Sequence, residues 1–381
     1  MYGQVLNIDL TNGRIKKQPV STELRRKYLG GEGVNARLFW EHFTKVDPGI
    51  DPLSPDNILI LGTGPLAGTP LGAGSKMKFT FKSPHTNIYG DSTSGGGLGA
   101  QLRWAGYDHV IIKGRATHPV YLWIDDDEVA IKDARHIWGR NASETDEYIK
   151  YELGNDQLET ACIGQAGENL VPIASIMLRR HRAAARMGGG CVFGSKNLKA
   201  VVARGTKGLR IYNKAAFYEV MKDFWTTTVE DPDMDEWTRY GTTRFLGMFR
   251  EMGFNAYRNA QGLVMPEKAV KGMDHVWYND NIGVRSLACS PGCAIACGGW
   301  NHIRGNKSSA ARRYSGIWGT KPEYGTLNPF GASCDVEDMP AVIHLIEMCN
   351  EYGMDGMEIG MGVSLLMELW DRGIITEADI Q

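Results

Sequence analysis

The sequence predicts an α+β fold, with a β-rich first domain over residues 1–208 and a mostly helical second domain over 209–381. Two observations lead there. Short apolar or alternating runs with strand spacing recur as far as "LKAVVARGTKG", and beyond it the apolar residues fall into helical spacing.

In chain order, "VLNIDL-TNGR-IKKQPV" predicts a hairpin, because apolar alternation flanks Asn12-Gly13 on both sides. Ser21 is placed to cap a helix through "TELRRKYLG", and "VNARLFWEHF" predicts another. Strands follow at "NILILG", "MKFTFKS", "HVIIKGR", "VYLWIDD" and "EVAIKDA". In the second part, "KAAFYEVMKDFWTTTVED" has helical periodicity, and "MPAVIHLIEMCNEYGMDGMEIGMGVSLLMELWDRG" predicts two helices joined at Gly353.

Composition excludes several classes. A net charge of -2 offers nothing for nucleic acid or an anionic membrane, and the apolar runs are far too short for a bilayer span. Seven cysteines, four of them scattered (Cys162, Cys191, Cys334, Cys349), do not form a disulfide framework and imply a reducing, cytoplasmic setting. Glycine is the one excess: 47 residues, against a usual share of about 7%. They cluster in "GGEG", "GTGPLAGTPLGAG", "SGGGLGA" and "MGGGCVFG" without an internal repeat, marking sharp turns or close backbone approach to a ligand. Neither "GEGVNA" nor "GTGPLAG" makes a dinucleotide fingerprint. A charged helical segment precedes the first, and Pro65 and Pro70 forbid the helix that should follow the second.

"CSPGCAIACGG" places Cys289, Cys293 and Cys297 at C-x3-C-x3-C spacing. Pro291-Gly292 argues against a continuous helix, so the segment reads as a loop curled around something. Three thiolates in a loop suit an iron–sulfur cluster or zinc, and the plain alternative is three buried apolar cysteines.

Taken together, "MYGQVLNIDLTNG", "AGYDHVIIKGRA", "IGQAGENLVPIASIM", "HRAAARMGGGCVFGSKNLKAVVARG" and "CAIACG" resemble the tungsten-containing aldehyde ferredoxin oxidoreductases, from residue 1 to about residue 375. The resemblance implies a first domain whose two related sheets cradle a tungsten or molybdenum bis-pterin (tungstopterin or molybdopterin). It also implies a neighbouring [4Fe-4S] cluster, and Mg²⁺ bridging the two pterin phosphates. The residues matching the pterin contacts are Lys76, Lys78, Thr93, Ser94 and Gly95 in one half, and Arg182, Ala183 and Arg186, beside Gly188–Gly190, in the other. Asn350 stands where relatives place an aspartate that touches pterin. Lysine and arginine neutralise phosphate, and glycine-flanked N–H groups make anion nests. Cys289, Cys293 and Cys297 match the cluster ligands. The implied activity is aldehyde oxidation with electrons passed to ferredoxin or another electron-transfer protein.

Departures from the family limit this. The cluster spacing is one residue longer than the usual C-x2-C-x3-C, and Thr93 replaces an asparagine whose carbonyl ligates magnesium. Gly325 in "KPEYG" replaces an active-site glutamate, and a glycine can neither accept a proton nor orient a water. His344 and Glu347 read H-x2-E where some relatives bind a metal at a homodimer interface; a solvated ion pair is expected instead. The family's third domain, which supplies a fourth cluster cysteine and a catalytic histidine, has no counterpart in this sequence. The expectation is therefore a fragment, or a site completed by a second chain. Two rival functions keep parts of this reading: the active-site subunit of an aromatic-acyl-CoA reductase, or a non-catalytic electron-transfer or assembly partner.

Overall fold

The structure is a computed structural model that describes residues 3–180, 182–305 and 309–380. The described chain forms two compact units. The first comprises residues 1–228 together with Cys289–Ala294 and Asn350–Met354.

The first unit opens on the expected hairpin, β1 (Gln4–Asp9) and β2 (Arg14–Pro19), with Asp9 opposite Arg14. Gly13 takes φ 69°, and the Asp9 and Asn12 side chains accept from the turn's Thr11 and Arg14 N–H groups. Ser21 Oγ accepts from the Leu24 N–H at 3.0 Å and caps α1 (Thr22–Tyr28). Helix α2 (Gly31–Phe43) follows α1 and not a strand, so "GEGVNA" is no dinucleotide fingerprint. Strands β3 (Leu59–Thr63), β4 (Met77–Lys82) and β5 (Tyr89–Ser94), helix α3 (Leu98–Ala105) and β6 (Tyr107–Lys113) complete the first half. The sheet order is β2-β1-β6-β3-β4-β5, with β1 and β6 parallel and every other pair antiparallel.

The second half repeats this plan. It runs β7 (Val120–Asp125), β8 (Glu128–Asp133), α4 (Ala142–Leu153), β9 (Glu159–Cys162), α5 (Gln165–Glu168), β10 (Ile176–Leu178), β11 (Arg182–Ala184), α6 (Gly189–Ser195) and β12 (Leu198–Arg204). Its order is β8-β7-β12-β9-β10-β11, again with one parallel pair, β7 with β12. Each strand thus occupies the place of the strand six earlier, and α4 and α6 stand where α2 and α3 do. No internal repeat is visible in the sequence, but the topology contains one. Side chains were free to diverge as long as the period-two burial survived.

That burial places one core between the sheets. Leu6, Ile8, Leu61, Phe79, Phe81 and Ile112 from the first meet Leu122, Ile124, Ala161, Ile176, Val201 and Ala203 from the second. The alternate residues Tyr121, Ala200, Val202 and Cys162 face outward onto a second cluster that includes Ala142 and Ile149 of α4. Asn141 and Glu144 form a capping box at the start of α4.

Two lysines are buried within this apolar frame. Lys196 Nζ donates to the carbonyls of Asn57 (2.6 Å), Gly114 (3.2 Å) and Pro55 (3.3 Å), tying the chain just before β12 to loops of the first sheet. Lys199 donates to the Arg140 and Ile163 carbonyls, both at 2.8 Å, and pairs with Glu168. A buried ammonium without such acceptors would be strongly destabilising.

The second unit comprises residues 229–288, 295–349 and 355–381. It is mostly helical. Helices Met339–Tyr352 and Gly356–Asp371 flank the expected joint at Gly353, which takes φ 72°. The sequence reading did not anticipate its small antiparallel sheet of Gly283–Leu287, Gly298–His302 and Trp318–Thr320. Among the described residues no helix is long and apolar enough to cross a membrane.

Burial, with Arg115 adding repulsion, pulls the Lys196 ammonium from 10.5 down to about 7. The unfolded chain holds this proton to higher pH than the folded chain, so the stability contributed here rises with pH across that interval. Urea midpoints of the wild type should therefore climb relative to Lys196→Met between about pH 7 and about pH 8.5. Parallel profiles would show that Lys196 does not titrate there.

Candidate functional site

Strands β5 and β11 are the outer strands of their respective sheets, and they pack against each other. The strand carrying Thr93 and Ser94 therefore meets the strand carrying Arg182 and Ala183, uniting the two halves of the predicted set. Lys78 lies on β4 directly opposite Thr93, while Lys76 is exposed just ahead of that strand. Arg186 is exposed in the single 3₁₀ turn that follows β11.

The polar groups here are of two kinds. Lys78 Nζ is engaged by Asp91 at 2.7 Å and Glu32 at 2.8 Å. Burial works to lower its pKa, but the hydrogen bonds to the two carboxylates outweigh burial and hold it above the usual lysine value. Ser94 is only 3% exposed, and its hydroxyl has no hydrogen-bond partner among the described residues. An orphan donor in a packed interior is costly unless a ligand satisfies it.

The turn between β10 and β11 carries groups that the sequence reading passed over. Arg179 and Arg180 take φ 47° and 55° in succession, a left-handed path that costs a non-glycine residue on the order of 1 kcal/mol or more each. Ion pairs hold both, Arg179 to the buried Glu159 and Arg180 to Glu147. The basic run "LRRHR" was the available signal, although His181 lies outside the described residues.

The two glycine runs occupy equivalent places in the topology, each between an outer strand and the next helix, yet they do different work. Gly188–Gly190, expected to flank an anion nest, are closely packed on the core. A Cβ on Gly189 would lie 2.9 Å from both Ile176 and Phe81, and the Gly190 N–H is spent on the Ala174 carbonyl at 2.8 Å. Close packing of main chain on the core explains this run. The first run faces the cysteine loop instead. The Gly96 N–H donates to the Cys289 carbonyl at 2.6 Å, and a Cβ on Gly95 would lie 2.8 Å from that same oxygen.

Cys289 and Cys293 therefore belong to the first unit and Cys297 to the second, where its carbonyl lies against Gly241. All three are half-buried. Among the described residues no three His, Cys, Asp or Glu side chains stand close enough together to hold a metal ion. The donor chemistry of the loop suits iron or zinc. The other four cysteines are fully buried. Burial pushes Cys162, Cys191 and Cys349 up to about 12 and Cys334 to about 11, the behaviour of inert core thiols.

Asn350 is half-buried on a segment held by the first unit: Glu351 accepts from the Ser143 N–H at 3.1 Å, and the Gly353 carbonyl accepts from the Ser175 N–H at 2.8 Å. Within the second unit, Gly325 lies in the helix Tyr324–Phe330, and a Cβ there would meet only the Met357 methyl, at 3.2 Å. Glu323 just before it accepts from Thr242 Oγ1 at 2.5 Å. Glu347 accepts from the Thr320 N–H and hydroxyl, and the His344 ring packs beside Tyr314.

Residues 5–205 match the family described as aldehyde ferredoxin oxidoreductase, N-terminal domain, and residues 219–381 match aldehyde ferredoxin oxidoreductase, domains 2 and 3. The chain belongs to this family. It is 36% identical over its whole length to a tungsten-containing aldehyde ferredoxin oxidoreductase of Pyrococcus abyssi, covering 60% of that protein. It is also 30% identical, over 99% of its length, to the WOR-like subunit of an aliphatic sulfonate oxidoreductase from Pyrococcus furiosus, covering 61% of it. Among solved structures it resembles the active-site complex BamBC of benzoyl coenzyme A reductase with 1,5-dienoyl-CoA: TM-score 0.83, 29% identity, 99% of this chain and 57% of that one. The chain thus spans about three fifths of the length of the curated relatives it matches.

Exposure separates the thiols into two classes. Brief alkylation of the native, metal-free chain should label Cys289, Cys293 and Cys297 and spare the other four. Labelling of Cys191 or Cys162 at a comparable rate by peptide mass spectrometry would contradict the assigned burial.

Proposed function

We propose that the chain is an oxidoreductase of this family that holds a bis-pterin tungsten or molybdenum centre and transfers electrons between an aldehyde or carboxylate substrate and ferredoxin. The observation that carries the reading is the meeting of β5 and β11, with the unsatisfied Ser94 hydroxyl at the seam. The chain's residues fit a phosphate-bearing pterin in chemistry: an exposed lysine, a buried orphan donor, one arginine on the facing strand and another in the turn that follows it.

In this reading Lys76 and Lys78 neutralise one pterin phosphate, and Arg182 and Arg186 the other, arginine in its bidentate fork. Thr93, Ser94, Gly95 and Ala183 would hold the pterins through hydrogen bonds and close main-chain contact, Asn350 would add a polar contact, and Mg²⁺, which prefers oxygen ligands, would neutralise phosphate charge. Cys289, Cys293 and Cys297 supply thiolates to a [4Fe-4S] cluster, and a fourth ligand comes from elsewhere. The metal centre, when bound, supplies two-electron chemistry. The protein supplies binding, orientation and a dry, charged surround. The functional boundary is placed at residues 208/209, and a second copy or second chain is the proposed partner besides ferredoxin.

A second reading is favoured by Gly325. Without a carboxylate at this position, the chain fits the active-site subunit of an aromatic-acyl-CoA reductase, consistent with its likeness to BamBC.

Arg182→Ala and Lys76→Ala each remove a charge-assisted phosphate contact worth on the order of 2 kcal/mol. Both should lower pterin content in anaerobically purified protein while leaving the circular dichroism unchanged. Full pterin in both variants would sink the assignment.

The wild type should oxidise simple aldehydes weakly or not at all. Gly325→Glu should fold normally, since only a flexible methionine methyl stands near, and should raise aldehyde turnover if the first reading is right. Robust turnover by the native sequence would show that another group, Glu323 being the nearest carboxylate in sequence, acts as base.

A further inference from the structure

The contact between the first glycine run and the cysteine loop is flanked by two buried hydroxyls. Ser94 precedes Gly95, and Ser290 follows Cys289. Ser290 is 4% exposed and, like Ser94, its hydroxyl has no hydrogen-bond partner among the described residues. Folded proteins rarely bury a hydroxyl unsatisfied, because the donor loses water and gains nothing. Here two of them border one main-chain junction, in a region where the proposed cofactor groups carry negative charge.

The junction is built so that Ser290 keeps its place. The Gly96 N–H holds the Cys289 carbonyl at 2.6 Å, and Gly96 takes φ 106° to do so. A Cβ on Gly95 would approach the Cys289 Cβ to 3.2 Å and its carbonyl oxygen to 2.8 Å. On the far side of Ser290, Gly292 takes φ 74° and lies against the main chain of Pro70, and a Cβ on Gly72 would lie 3.6 Å from the Cys293 Cα. The Ser290 carbonyl itself accepts from the Cys293 N–H at 3.3 Å. Main-chain contacts therefore fix the segment on both sides of Ser290, while its hydroxyl makes no hydrogen bond among the described residues.

We propose that Ser290 is a further binding residue: its hydroxyl donates a hydrogen bond to an anionic acceptor seated at the junction of the glycine run and the cysteine loop. The acceptor is either a phosphate oxygen of the pterin group or a sulfur of the cluster. This inference rests on the cofactor reading given under Proposed function, and it assigns a residue that the family resemblance did not supply.

The test exploits a difference in sign. Deleting an orphan hydroxyl removes a buried, unsatisfied donor, so Ser290→Ala should leave the thermal midpoint of the cofactor-free chain unchanged or raise it. The same variant, purified anaerobically in its loaded form and dialysed, should retain cofactor about tenfold less well than the wild type, the loss typical of one hydrogen bond to a charged acceptor. Loss of pterin with iron kept identifies the phosphate oxygen, and loss of iron and sulfide with pterin kept identifies the cluster sulfur. Gly95→Ala, which crowds Cys289, should lower retention in the same direction, and Ser290→Thr, which keeps the hydroxyl, should restore most of it.

A lower midpoint for cofactor-free Ser290→Ala would overturn the inference, since it would mean that the hydroxyl serves the protein itself. Full retention in Ser290→Ala alongside loss in Arg182→Ala would overturn the inference and leave the proposed function standing. A wild type that carries neither pterin nor iron would overturn both.

Discussion

Where the two sheets of the first unit meet, main chain packs on main chain and on core side chains more closely than any Cβ permits. Gly189 sits on Ile176 and Phe81, Gly190 on the Ala174 segment, and Gly95 on Cys289. These bare positions let neighbouring segments approach closely beside the place where β5 and β11 pack, the strands that carry Thr93, Ser94, Arg182 and Ala183. An alanine at one of these glycines would require displacement of an element and not merely of a side chain, which is how overpacking typically becomes destabilising. The glycine excess in the composition is thus chiefly a packing requirement, and only the first run also borders the proposed binding surface.

A second layer of constraint is electrostatic. Lys196 and Lys199 spend their ammonium groups on carbonyls and a carboxylate inside the frame, so neither is available to a ligand. Lys78 is shared with Asp91 and Glu32 and would have to divide itself between those carboxylates and a phosphate. The arginines at Arg179 and Arg180 are committed to Glu159 and Glu147. The proposed site therefore rests on its buried hydroxyls, Ser94 and Ser290, more than on the number of cations near it.

Much of this was legible in the sequence. The first hairpin, the Ser21 cap and the joint at Gly353 follow local rules that act within a few residues, and these elements formed as expected. Strand β5, "YGDSTS", carries no apolar alternation because it lies at the edge of its sheet, and it went unread. The β9–β11 segment and its basic turn were missed for a related reason: strands of three or four residues have too little periodicity to register. The α4 helix was announced by "NASE", a capping box that the reading passed over. For the site, the residue types came from resemblance. Their convergence depends on the pairing of two outer strands nearly ninety positions apart, a long-range fact that no local pattern encodes.

The repeated topology is not matched by a repeated surround. Two halves with the same strand plan would, if identical in detail, treat whatever lies between them even-handedly. They are not identical. In the first half the glycine run opens onto the cysteine loop, whereas in the second the corresponding run is sealed by Pro172, Ala174 and Ile176. The two runs thus differ in what covers them, the cysteine loop in one half and the core in the other, so a symmetric scaffold acquires polarity from a single local difference in covering.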